Sequence, residues 1–286
     1  MQIALKDSLP AFIKNLEEKG RSPSTILAYR ADLEQLADYL SKKNIAFVSE
    51  IKSEDLDAFR DALLSEKYTP KSVSRKLNAI KTFFRFLMDK GDVQSDPSEK
   101  VAHPKVEPTL PKFLSPLEYR ALRDIARNDK RIAAIIEVIL QTGMRISEVA
   151  NLKLDNIRND KIIVEAYATQ PQRTVPINKR ASESLSEYLK ERPQTPSPFI
   201  FTSKNGKPLA VRNIRAAIDR YMQKAEISGY SVNDLRTTFV VENLKQEVDI
   251  VMLSQIVGHK RLSTTERYLD LAQIKEPGKK QALAEL

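Results

Sequence analysis

Five prolines fall between Asp96 and Pro116 (Pro97, Pro104, Pro108, Pro111 and Pro116), and helical periodicity stops there. Proline removes a backbone donor and clashes with the preceding turn, so no continuous helix can run through this stretch. What remains is an extended, semi-rigid connector. The chain therefore cannot fold as one long bundle. We place a boundary near Glu107, giving a domain over 1–106 and a second over 107–286, each long enough for its own core.

The first domain reads as four helices. Ser22-Pro23 offers an N-cap followed by proline at the first helical position, and Ile26, Tyr29, Leu33, Leu36 and Leu40 then recur at steps of three and four, an apolar stripe along one face. The fourth helix opens at Thr69-Pro70 in the same way, turns Val73, Leu77, Ile80, Phe84 and Leu87 inward, and stops at Gly91. Its other face carries Lys71, Arg75 and Lys76, three cations within two turns.

The second domain opens with a helix from about Ser115 and an apolar one from Lys130 to Gln141. A β stretch follows: Lys161–Glu165 and Arg173–Ile177 are rich in β-branched residues and flank a short polar connection, as a hairpin would. From Lys179 onward the pattern is helix and loop. The expected fold class is mainly α: an N-terminal four-helix domain and a C-terminal mixed helical domain with a small hairpin or sheet, without internal repeats.

Lysine and arginine total 47 against 38 acids, a net charge of +9. The excess is uneven, with 18 basic and 16 acidic residues before position 107 and 29 and 22 from there on. That balance suits a polyanion partner without specifying one. With no cysteine and only His103 and His259, the sequence excludes disulfides, thiolate zinc sites, a cysteine nucleophile and histidine-rich metal centres. The longest apolar run, Ile132 to Leu140, is far short of a membrane span and contains Glu137. No cationic-then-apolar leader precedes it, so a cytoplasmic or nucleoid-associated location is expected.

Four side chains stand out for chemistry. Arg145 lies in Gln141-Thr142-Gly143-Met144-Arg145-Ile146-Ser147-Glu148, where one helix ends at a glycine and the next begins. Arg236 follows Asn233 at another helix start. His259, in Val257-Gly258-His259, precedes Tyr268, in Ser263-Thr264-Thr265-Glu266-Arg267-Tyr268, by nine residues. A tyrosine can attack a phosphodiester, two guanidiniums can hold the non-bridging oxygens and absorb developing charge, and a histidine adds a donor or a proton acceptor. A free tyrosine titrates near 10, and neighbouring guanidiniums favour the phenolate. Neither ATP nor metal is needed, because the phosphoester is conserved on the protein.

With these motifs in this order, the chain from about Ser22 to Tyr268 resembles the tyrosine recombinases, the integrase family that includes the Xer and Cre proteins. The resemblance implies a 3′-phosphotyrosine intermediate with a free 5′-hydroxyl, later attacked by a partner strand. It implies that Arg145 and Arg236 clamp the phosphate, His259 donates to it, Tyr268 is the nucleophile and Glu148 braces the first arginine. It also implies that the first domain contacts core DNA through the Lys71, Arg75 and Lys76 face. The expected partners are double-stranded DNA with inverted core sites and three further copies of the chain on two duplexes. The tail from Lys279 to Leu286, with Ala282, Leu283 and Leu286 on one apolar face, would dock in trans.

Two departures stand against the family pattern. Asn233 occupies the position of a histidine; it can hydrogen-bond the phosphate but cannot shuttle a proton. The hairpin turn, Tyr167-Ala168-Thr169-Gln170-Pro171-Gln172, lacks the lysine that the family places there as acid for the leaving 5′-oxygen. Lys161, Lys204 and Lys207 are the substitutes considered, with Lys161 foremost. Two other readings stay open: a DNA-binding protein on the same scaffold with weak or lost cleavage, and a type IB topoisomerase. Length favours a simple Xer-like or transposon-resolving enzyme over one with an added arm-binding domain.

Overall fold

The computed structural model describes residues 3–107, 109–167, 170–203 and 205–273. The chain divides into two compact units, residues 1–109 and 110–286.

The first unit holds four helices, α1 (Leu5–Glu18), α2 (Pro23–Ser41), α3 (Ser53–Ser65) and α4 (Pro70–Lys90). The expected caps form: the Ser22 hydroxyl accepts from the Thr25 N–H at 3.2 Å, and the Thr69 hydroxyl accepts from the Ser72 N–H at 3.2 Å. Gly91 ends α4 in the left-handed region, at φ 78°. The apolar stripes of α2 and α4 meet α1 and α3 around Phe12, Leu33, Leu36, Phe59, Phe83 and Phe84, all essentially inaccessible to solvent. Phe12 and Phe83 pack edge to face at 5.3 Å.

One expectation on α4 needs correction. Lys76 is buried, only 7% exposed, and does not share the outward face of Lys71. Its ammonium donates to Asp32 Oδ1 at 2.9 Å and to Gln35 Oε1 at 2.6 Å, both on α2. Asp32 also accepts from both terminal nitrogens of Arg75. A buried carboxylate demands compensating charge, and these two cations supply it, which joins α2 to α4.

The second unit begins with α5 (Pro116–Ala126) and α6 (Lys130–Thr142). Helix α6 is buried almost all round, and its single acid, Glu137, is neutralised by Arg123, whose Nε and Nη2 donate to the carboxylate at 2.6 and 3.0 Å. Helix α7 (Ile146–Ala150) leads to an antiparallel sheet in the order β1 (Ile157–Arg158), β2 (Lys161–Val164), β3 (Arg173–Pro176). Ile162, Val164 and Val175 face the core in the period of two that a half-buried sheet requires. The predicted hairpin is thus β2–β3, and β1 is an additional strand. Helices α8 (Lys179–Glu191), α9 (Val211–Lys224), α10 (Val232–Lys245), α11 (Ile250–Val257), α12 (Leu262–Glu266) and α13 (Leu269–Ala272) complete the unit around the α6 core. Among the described residues, no helix is long and apolar enough to cross a membrane.

Candidate active site

Helix α11 ends at Gly258, which takes a left-handed conformation at φ 71° and leaves the last carbonyls of the helix without intrahelical partners. Three arginines from three other elements satisfy them. Arg173, the first residue of β3, donates through Nε to Ile256 O at 2.7 Å. Arg236, on the second turn of α10, donates through Nη2 to Val257 O at 2.8 Å. Arg145, the N-cap of α7, donates through Nη2 to Gly258 O at 2.6 Å and through Nη1 to Val257 O at 3.4 Å. Cations at a helix C-terminus also gain from the helix dipole.

Among the described residues, Glu148 is the carboxylate bonded to this cluster. It accepts from Arg145 Nη1 at 3.0 Å and, in two parallel bonds, from Arg173 Nη1 at 2.8 Å and Nη2 at 2.7 Å. It also caps α7 by accepting from the Arg145 backbone N–H at 2.8 Å. Burial pushes its carboxyl up, but the Arg173 bonds and charge outweigh that and hold it below the usual glutamate range. The bracing role expected of Glu148 and the capping of α7 coexist in one side chain.

Three guanidiniums against one carboxylate leave an excess of positive charge. Burial, and then the neighbouring Arg145, push Arg236 down to about 9, which still leaves it charged at neutral pH. The Tyr268 phenol lies within electrostatic reach of the same guanidinium. Gly143 fixes the approach of these elements. Its carbonyl accepts from Arg236 Nη1, and a Cβ there would overlap the Phe239 ring and lie 2.9 Å from Val257 Cγ1.

His259 follows Gly258 directly. Burial, followed by the charges of Arg236, Arg145 and Arg173, pushes its imidazole down to about 4, so it is neutral at pH 7. Its Nδ1 lies 2.8 Å from the hydroxyl of Thr265, a fully buried residue on α12. If the hydroxyl donates to Nδ1, the ring proton sits on Nε2 and can be donated to an anion. The Tyr268 ring lies nearly parallel to the imidazole, at 11° and 6.1 Å between centroids.

The structure thus gathers Arg145, Glu148, Arg236, His259 and Tyr268. Asn233 is exposed on the first turn of α10, one turn before Arg236. Two positioning residues were not singled out from sequence, Arg173 and Thr265. Each lies inside a quoted motif, and the signal for Arg173 is an arginine opening a strand with no acid beside it.

Residues 112–274 match the phage integrase family, and residues 9–91 match the phage integrase N-terminal SAM-like domain. The chain belongs to the phage integrase family. Tyrosine recombinase XerC of Oceanobacillus iheyensis is 30% identical over 278 residues, covering 91% of this chain and 90% of the relative. The protein of that name from Roseiflexus castenholzii is 28% identical over 281 residues, covering 93% and 90%. Among solved structures, a lambda integrase tetramer bound to a Holliday junction has a TM-score of 0.76 at 16% identity, covering 99% of this integrase-family chain and 81% of that one. XerA recombinase has a TM-score of 0.52 at 24% identity, covering 92% and 93%. These structural likenesses concern the fold.

Proposed function

We propose that the chain is a site-specific DNA recombinase that breaks and rejoins strands through a 3′-phosphotyrosine. The carrying observation is the convergence of Arg145, Arg236 and His259 on the end of α11, with Tyr268 parallel to the imidazole. Donors fixed before the reaction stabilise charge that appears only in the transition state. Arg145 and Arg236 hold the non-bridging oxygens, neutral His259 donates from Nε2, and Tyr268 attacks. Glu148 and Arg173 keep the clamp in register, and Asn233 is a further hydrogen-bonding group at the rim.

Residues 1–106 serve as the core-DNA-binding domain and 107–286 as the catalytic domain. Lys71 and the outer edge of Arg75 remain the cations of α4 that contact phosphates, whereas Lys76 acts through the fold. Four protomers on two duplexes with inverted core sites, linked by the tail from Lys279 to Leu286, form the working assembly. That tail lies outside the described residues. The place of action is the cytoplasm, where the DNA is.

Incubation with a nicked duplex from the chain's own locus, chosen because the protein binds it, tests the reading. The expected product is a denaturation-resistant adduct with the DNA 3′-phosphate on Tyr268 and a free 5′-hydroxyl. Binding without any adduct would instead favour a DNA-binding protein that has lost cleavage. Relaxation of supercoiled DNA by monomers would favour the topoisomerase reading.

A further inference from the structure

When the tyrosine displaces a DNA strand, the electron pair of the P–O5′ bond goes to the 5′-oxygen, and a proton must reach that oxygen to make it a good leaving group. The hairpin holds no lysine for this, since none occurs between Lys161 and Lys179, and its one phenol, Tyr167, lines a different cavity. Lys161 sits at the far end of β2, paired with Pro176, while Arg173 pairs with Val164. Three residues of strand, about 10 Å at roughly 3.3 Å each, separate it from the level of the site. Lys207 belongs to the turn in which its carbonyl accepts from the Ser203 N–H, and it does not line the cavity beside the arginine cluster. Lys204 lies outside the described residues.

A cavity of about 590 Å³ opens beside the cluster. One wall is the hairpin side, Gln170, Pro171 and Arg173; the other is the chain leaving α11, Gly258, His259 and Lys260. Gly258, in the left-handed region, lies against the hairpin side, where a Cβ on it would sit 3.0 Å from the Arg173 guanidinium carbon. Among these groups, glutamine and proline have no acidic proton, and arginine does not give its proton up. Neutral His259 already lacks the second proton an acid would transfer. Lysine is the remaining wall residue that carries a proton it can release and regain.

We propose that Lys260 is the general acid for the leaving 5′-oxygen, taking the place of the absent hairpin lysine. The proposal rests on the strand-cleavage reading above. In the step, Tyr268 Oη bonds to phosphorus and its phenolic proton passes to solvent. The P–O5′ bond breaks, and the Lys260 ammonium gives one proton to O5′, becoming an amine that solvent then reprotonates. In the reverse step the ammonium first loses a proton to solvent, the resulting amine takes the proton from the attacking 5′-hydroxyl, the P–Oη bond breaks, and Tyr268 Oη regains its proton from solvent.

The test compares two nicked duplexes from the chain's own locus, one ordinary and one with sulfur replacing the bridging 5′-oxygen, because a thiolate leaves without an acid. Lys260→Ala is expected to slow adduct formation on the oxygen duplex by roughly 10²-fold or more, the usual worth of a placed acid. On the sulfur duplex it should come within about tenfold of the unaltered protein, since no acid is then required. Lys260→Arg keeps the charge without a transferable proton, and should stay slow on oxygen. Cleavage of the oxygen duplex by Lys260→Ala at the parental rate, equal slowing on both duplexes, or recovery in Lys260→Arg would each overturn the proposal. No adduct from the unaltered protein on either duplex would instead overturn the cleavage reading beneath it.

Discussion

Arg173 and Glu148 face each other fork to fork, Nη1 to Oε1 at 2.8 Å and Nη2 to Oε2 at 2.7 Å, from elements 25 residues apart in sequence. Both side chains are about nine-tenths buried. Such a pair has little net worth for stability, yet removing Arg173 takes two charged bonds from a buried carboxylate and leaves Arg145 to compensate it. Arg173→Ala is therefore expected to destabilise the chain by roughly 1–3 kcal/mol. Arg173→Lys should recover only part of this, because an ammonium cannot make the parallel bonds. Urea unfolding of the three proteins measures it, and equal midpoints would refute the brace.

Tyr268→Phe should abolish the covalent adduct while leaving binding to the same duplex within about tenfold, because the phenol supplies the bond and few of the phosphate contacts. An adduct in that variant would place the nucleophile elsewhere.

Gly143→Ala tests the junction of α6, α10 and α11. The left-handed backbone costs a Cβ-bearing residue roughly 1–2 kcal/mol, and the overlap with Phe239 and Val257 about 1–3 kcal/mol more. Because the Gly143 carbonyl also holds Arg236, cleavage should fall further than the loss of folded protein explains. A variant as stable and active as the parent would show that the junction tolerates a side chain.

The imidazole of His259 titrates near 4 in the folded chain against an ordinary 6.5. Between those values the unfolded chain binds a proton that the folded chain does not, so stability falls as pH drops from 6.5 towards 4. His259→Asn should lose less stability than the parent between pH 7 and pH 5. Parallel urea titrations at the two pH values decide it, and an identical loss in both proteins would assign the slope to other groups.

Lys71 and Lys76 should separate cleanly. Lys71→Ala is expected to leave the melting temperature unchanged while weakening DNA binding and lowering the salt dependence by about one counterion. Lys76→Ala should lower the melting temperature, since it leaves Asp32 with Arg75 alone. Reversed outcomes would return Lys76 to the outer face.

Much of this was readable from the sequence where the controlling interactions are local. The stripes of α2 and α4, their Ser-Pro and Thr-Pro starts and the glycine stop are all set within a few residues. Strand β1 was missed because two residues carry no period. Lys76 was misread because its position on the edge of the apolar stripe does not decide its direction; Asp32, 44 residues earlier, does. The same reason hid Arg173 and Thr265. Their chemistry is ordinary, and only the partners brought to them by the fold, Glu148 and His259, give them a task.

The end of α11 has a consequence for how the clamp comes to be assembled. Its backbone oxygens hold the three guanidiniums together through bonds made within the fold itself. Mutual repulsion among three like charges would otherwise splay them apart, and the clamp would have to be assembled at each encounter. Here the folding reaction does that assembly in advance. The nucleic acid meets donors already converged, with further N–H groups on Arg145 and Arg236 to offer, so docking need only add acceptors to an arrangement that already exists.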